Sequence, residues 1–102
     1  MMTVDEIRDC VGEGWIPIVR SVLEVLDKAG FTIFQLKEKF GGLRIYVDAP
    51  PDATAAVKAE ISALIHAAEN ASYKTCDLCG GRGYCQLIRD WWRTRCAECA
   101  VK

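Results

Sequence analysis

Apolar positions recur at helical spacing through the first 30 residues of the chain. Thr3 followed by Glu6 has the spacing of a capping box and opens a short helix that carries Val4, Ile7 and Cys10 or Val11 inward. Gly12 and Gly14 end it. Trp15-Ile16 leads into Pro17, suited to the first turn of a second helix, with Ile18, Val22, Val25, Leu26 and Ala29 on its inward side and Gly30 as its stop. The pattern then changes period. Phe31 to Phe40 and Leu43 to Asp48 read as the arms of a β-hairpin joined by Gly41-Gly42, which pairs Phe40 with Leu43, Lys39 with Arg44, Lys37 with Tyr46 and Leu36 with Val47. That register gathers Phe34, Leu36, Phe40, Leu43, Ile45 and Val47 on a core face, with only Glu38 out of place. Gln35, Lys37, Lys39, Arg44 and Tyr46 fall on the other face.

Pro50-Pro51 breaks the strand. Asp52 or Thr54 caps a third helix running to about Ala71, with Val57, Ile61, Leu64, Ile65 and Ala68 as its inward stripe across the hairpin. Beyond Thr75 come Cys76-Asp77-Leu78-Cys79, a hairpin of Tyr84–Ile88 and Trp91–Arg95 around Arg89-Asp90, and Cys96-Ala97-Glu98-Cys99. The expected fold class is α+β. Short helices pack on a β-hairpin over residues 1–72, and a treble-clef-like four-cysteine zinc module over 73–102 packs on them as part of one compact domain.

Two CxxC pairs separated by sixteen residues have the spacing of a tetrahedral thiolate site, so Cys76, Cys79, Cys96 and Cys99 are expected to hold one structural zinc ion. Gly80, Gly81 and Gly83 suit a tight knuckle after the first pair, and the second pair is expected at the start of a helical turn. Competing chemistries fit less well. Disulfides need an exported protein, and the acidic start lacks the basic and apolar regions of a signal peptide. Rubredoxin-type iron prefers two glycine-bearing knuckles. A redox CxxC needs a βαβ setting, and a catalytic zinc keeps a ligand position open. The expected location is cytoplasmic, with no membrane partner, since no apolar run approaches the roughly 18 residues of a membrane span.

Charge limits the partners. The net charge is −1, with six Lys/Arg against nine Asp/Glu in residues 1–52 and seven against five in residues 53–102. The strongly basic footprint of a general nucleic-acid binder is missing. Two local surfaces remain as partner-binding candidates: Lys37, Lys39, Arg44 and Tyr46 on the first hairpin, and Arg89, Trp91, Trp92, Arg93 and Arg95 on the second. Adjacent strand residues point to opposite faces, so one of Trp91 and Trp92 is expected to seal the zinc module and the other to be exposed. His66, the sole histidine, reads as a helical surface residue, Trp15 as core, and Cys10 and Cys85 as buried small hydrophobes. No catalytic constellation is evident.

The residues Gly14-Trp15-Ile16-Pro17, Lys37-Glu38-Lys39-Phe40-Gly41-Gly42-Leu43-Arg44 and the two CxxC pairs together resemble a group of small phage and prophage proteins. These have a GW start, a KEKFGGLR-like hairpin and a C-terminal four-cysteine zinc element, and the resemblance covers roughly residues 12–99. It implies a viral or mobile-element origin and brings no assigned activity. The terminal module also resembles GATA-type fingers in Trp92-Arg93 before the second CxxC, but departs from them in lacking a basic helix and tail. The resulting expectation is a non-enzymatic, zinc-stabilised adaptor or inhibitor acting on a host protein or defence complex. The alternative is a nucleic-acid-binding protein using Lys37, Lys39, Arg44, Arg89, Arg93 and Arg95.

Overall fold

The computed structural model describes residues 2–102. Helix α1 (Val4–Cys10) opens on the reciprocal capping box: the Thr3 hydroxyl accepts from the Glu6 amide and the Glu6 carboxylate from the Thr3 amide. Ile7 and, four residues on, Val11 turn inward, which leaves Cys10 exposed instead of buried. A 3-10 turn, Glu13–Trp15, feeds α2 (Ile16–Ala29), with Pro17 in its first turn and Gly30 in the left-handed region at φ 78° as its stop. The buried stripe of α2 is Ile16, Val19, Val22, Leu23 and Leu26. The expected stripe was rotated: Ile18 and Ala29 are only half-buried, and Val25 is 43% exposed. Apolar residues cover about half the circumference of α2, and packing beside α1 and α3 selects which part of that arc is buried.

Strands β1 (Thr32–Lys39) and β2 (Gly42–Asp48) form the first antiparallel hairpin. Lys39 pairs with Gly42, Glu38 with Leu43, Lys37 with Arg44, Leu36 with Ile45 and Gln35 with Tyr46, which corrects the expected register. The turn is Phe40-Gly41, not Gly41-Gly42, because both central residues take positive φ, 53° and 85°. Gly42 is kept for another reason. The Tyr73 ring lies on its α-carbon, and a Cβ there would sit 2.2 Å from the ring. The register moved by two residues, so the faces survived: Leu36, Leu43 and Ile45 are buried and Val47 half-buried. Phe34 and Phe40 leave the expected core. Phe40 is drawn into the turn, and Phe34 occupies an irregularity between Ile33 and Gln35 that turns its ring toward Tyr46, 6.2 Å away.

Helix α3 (Ala55–Ser72) is capped by the Thr54 hydroxyl and buries Ile61, Ile65 and Ala68, with Val57 and Leu64 partly buried beside them. It also covers the outer edge of β2. The Leu43 amide donates to the Ser72 hydroxyl at 2.9 Å, and the Ile45 amide to the Glu69 carboxylate at 2.9 Å. Two amides that could template another strand are thereby occupied. Strands β3 (Tyr84–Ile88) and β4 (Trp91–Arg95) form the second hairpin, turning at Arg89-Asp90 with φ 51° and 67°. Among the described residues the architecture is α+β, with three α-helices and two separate antiparallel hairpins.

Candidate metal centre

The first ligand pair sits on a turn held by its own backbone. The Cys76 amide donates to Gly81 O at 2.7 Å, the Gly80 amide returns to Cys76 O at 3.0 Å, and Gly80 adopts φ 80°. The turn aims the Gly81 amide at the Cys79 sulfur, 3.5 Å away. The second pair lies on a single helical turn: the Ala100 amide donates to Cys96 O at 2.9 Å, and the Cys99 amide points at the Cys96 sulfur at 3.4 Å. The hairpin β3–β4 brings the two pairs together.

All four sulfurs lie within 4.8 Å of one another, and those of Cys79 and Cys96 are 3.7 Å apart. A tetrahedral ion with metal–sulfur bonds of about 2.3 Å requires sulfurs roughly 3.8 Å apart, so the donor set fits such a metal. The six cysteines are free thiols, which leaves the four available as ligands. Three of the four thiols are shifted from the ordinary thiol range. Burial pushes the Cys76 thiol up, but backbone amides aimed at it outweigh this and bring it down to about 6. Hydrogen bonding with Cys96, then burial, pushes Cys99 up to about 12. Cys79 is also raised: the Gly81 amide lowers it, but contacts with the Cys76 and Cys96 sulfurs prevail. Four clustered thiolates repel one another, and a divalent cation removes that penalty.

The core grips this module on two sides. On one side is the Gly-Glu-Gly-Trp segment. The Gly14 amide donates to Asp77 O at 2.9 Å, and Trp15 Nε1 donates to Thr75 O at 2.9 Å. The approach is so close that a Cβ at Gly12 would lie 2.1 Å from Asp77 O, and one at Gly14 2.0 Å from Cys76 O. On the other side is the tip of the first hairpin. The buried Thr94 hydroxyl donates to Gly41 O at 2.6 Å. Glu38 accepts from the Gly41 amide at 3.2 Å, Trp91 Nε1 at 3.3 Å and the Arg93 guanidinium at 3.4 Å. Within the module, buried Asp77 pairs with Arg95 at 3.0 Å. Glu38 is the residue out of place on the expected apolar face; Asp77 and Thr94 are functional positions the sequence reading missed. An acid stranded on an apolar face was the one available signal for Glu38, while Asp77 and Thr94 carried none.

The candidate partner-binding residues divide. Lys37 and Arg44 are cross-strand neighbours, and Lys37 Nζ stands 5.6 Å over the Tyr46 ring. Arg93 and Arg95 are engaged by Glu38 and Asp77. Neither tryptophan seals the module: Trp91 is 59% and Trp92 47% exposed. The contact is made at the backbone of Gly41, by the Thr94 hydroxyl and the Trp92–Arg93 backbone instead of an indole. Trp91, Trp92, Phe40, Glu38, Lys39 and Asp90 instead line a cleft of about 360 Å³. Cys85, expected to be buried, is exposed, its sulfur 3.8 Å from Phe40 O. His66 is exposed on α3.

No family model, curated protein or solved structure matches this chain. Among the described residues, no helix is long and apolar enough to cross a membrane.

Proposed function

We propose that this chain is a non-enzymatic, zinc-stabilised interaction module that presents the tryptophan hairpin to another protein. The supporting observation is the apolar tip: Phe40, Leu87, Trp91 and Trp92 are all about half exposed or more, three of them around one cleft. Large exposed aromatics on a fixed scaffold have the composition of binding hot spots. The scaffold is fixed here because Thr94, Glu38 and the four cysteines tie the hairpin to the core. Zinc is the metal of choice, since four thiolates close its tetrahedral shell and only one knuckle carries the glycines that rubredoxin-type iron prefers. Knuckle, hairpin and helical turn follow one another in treble-clef order. The resemblance to phage and prophage proteins makes a host protein in the bacterial cytoplasm the natural partner, with the chain acting as adaptor or inhibitor.

The test has two arms. Native mass spectrometry of protein purified without added metal should show one zinc per chain. Zinc-loaded protein used as bait in host lysate should capture a partner that a Trp91→Ala/Trp92→Ala variant of equal stability does not. Equal capture by both, or none by either, overturns the role of the tip.

A further inference from the structure

A second surface lies apart from the tryptophan tip. The chain has three tyrosines, Tyr46, Tyr73 and Tyr84. Each carries a cation over its ring: Lys37 at 5.6 Å, Arg44 at 5.8 Å and Arg82 at 5.5 Å. None of these cations forms an ion pair among the described residues, where the pairs are made by Arg8, Arg93 and Arg95. Glu69, whose charge reaches Arg44, is turned to the Ile45 amide.

The three pairs are linked in space. Lys37 and Arg44 face each other across the first hairpin, and Arg44 also donates to the Tyr73 hydroxyl at 3.0 Å. Tyr73 adjoins Lys74, whose carbonyl accepts from the Gly83 amide at 2.9 Å, one residue before Tyr84. Phe34 extends the series at the far end, 60% exposed and against Tyr46. Lys39, whose Nζ stands 5.7 Å over the Phe40 ring, lines the tryptophan cleft and belongs to the tip, and Asp48 closes the end opposite Thr32. The face therefore alternates rings with unneutralised cations, although the chain as a whole has a net charge of −1.

We propose that this open hairpin face binds single-stranded nucleic acid, with Phe34 and Tyr46 stacking on bases and Lys37 and Arg44 contacting phosphates. Cations alone would serve any polyanion. Phe34, 60% exposed, and Tyr46, 37% exposed, offer ring surface beside them on which unpaired bases stack while the backbone follows the charge. A duplex hides its base faces and gains nothing from the rings. An acidic polypeptide would use the cations and leave Phe34 idle.

The experiment is a fluorescence anisotropy titration of a labelled twelve-residue oligothymidylate with the zinc-loaded full chain, from about 50 to 200 mM salt. The expected result is saturable binding whose logarithm falls with log salt at a slope of about −1.4, as two phosphate contacts on a single strand imply. Phe34→Ala and Tyr46→Ala should each weaken binding about tenfold, within the range for losing one stacked base. Thermal unfolding should show that these variants keep their fold, since both rings are exposed. Lys37→Glu should weaken binding and flatten the salt slope. Trp91→Ala should leave it unchanged, which separates this face from the protein-binding tip. Absence of binding at 50 mM salt overturns the proposal. So does ring-independent binding that polyglutamate displaces as readily as unlabelled oligonucleotide, which would mark a surface for acidic protein.

Discussion

At the scale of single residues, the junction between core and metal module rests on absent atoms as much as on present ones. Gly14 has no room for a methyl group against Cys76 O. Gly14→Ala should therefore cost about 2–3 kcal/mol, in the range of overpacked sites, and chemical denaturation at saturating zinc measures it. Thr94→Val keeps the volume but leaves the Gly41 carbonyl without its 2.6 Å donor. A buried acceptor left unpaired costs about 1–3 kcal/mol, and the same assay should show that loss. Glu38 was the misfit of the apolar face in sequence terms. It is the residue through which the first hairpin holds the second, accepting from Gly41, Trp91 and Arg93.

At the scale of elements, α2 gives a direct check on which face is buried. Leu26→Ala should lose about 2–4 kcal/mol, as buried leucines do, whereas Val25→Lys should change stability by less than about 0.5 kcal/mol. Thermal unfolding of the two variants distinguishes the observed face from the one periodicity favoured. The β3–β4 hairpin depends on the cysteines at its two ends. On chelation its amides should exchange with deuterium before those of α2 or β1–β2, because metal binding and local folding are coupled. Protons compete for the same sulfurs. With Cys76 brought to about 6, that thiol is largely ionised at neutral pH, while Cys79 and Cys99, both raised, still hold protons that binding must release. Metal affinity should therefore rise with pH, by roughly a hundredfold or more between pH 7 and 8, as competition with a chromophoric chelator can read.

At the scale of the whole molecule, a metal bound at the four cysteines should, through the two grips, stabilise the entire chain. Trp15 is fully buried and its indole N–H bonds to Thr75 O, so it joins the α2 end of the core to the segment entering the knuckle. A core this small contributes only a few kcal/mol net, and a ligand that binds the folded state alone adds directly to that. Chelation should lower the unfolding temperature of the whole chain and shift the fluorescence of Trp15, while Trp91 and Trp92, already exposed, change less. A single-tryptophan variant retaining only Trp15 isolates the signal. An unchanged unfolding temperature would mean that the module hangs on the core without supporting it.

What the sequence determined by itself is what local chemistry determines. The Thr3–Glu6 box, the Gly30 stop, the Thr54 cap and the inward stripe of α3 depend on residues a few positions apart, and the four cysteines announce a metal by spacing. Tertiary structure decided the remainder. Gly41-Gly42 looked like one turn, yet Gly41 serves the turn and Gly42 the ring of Tyr73, 31 residues away along the chain. Trp91 and Trp92 alternate as strand residues must, yet both remain exposed, because the hairpin meets Gly41 through the Thr94 hydroxyl and the Trp92–Arg93 backbone. Each of these outcomes comes from a contact between distant segments, 14 with 77, 38 with 91 and 41 with 94. The energy of such contacts depends on how closely two backbones approach, and no local pattern of polar and apolar residues encodes that distance.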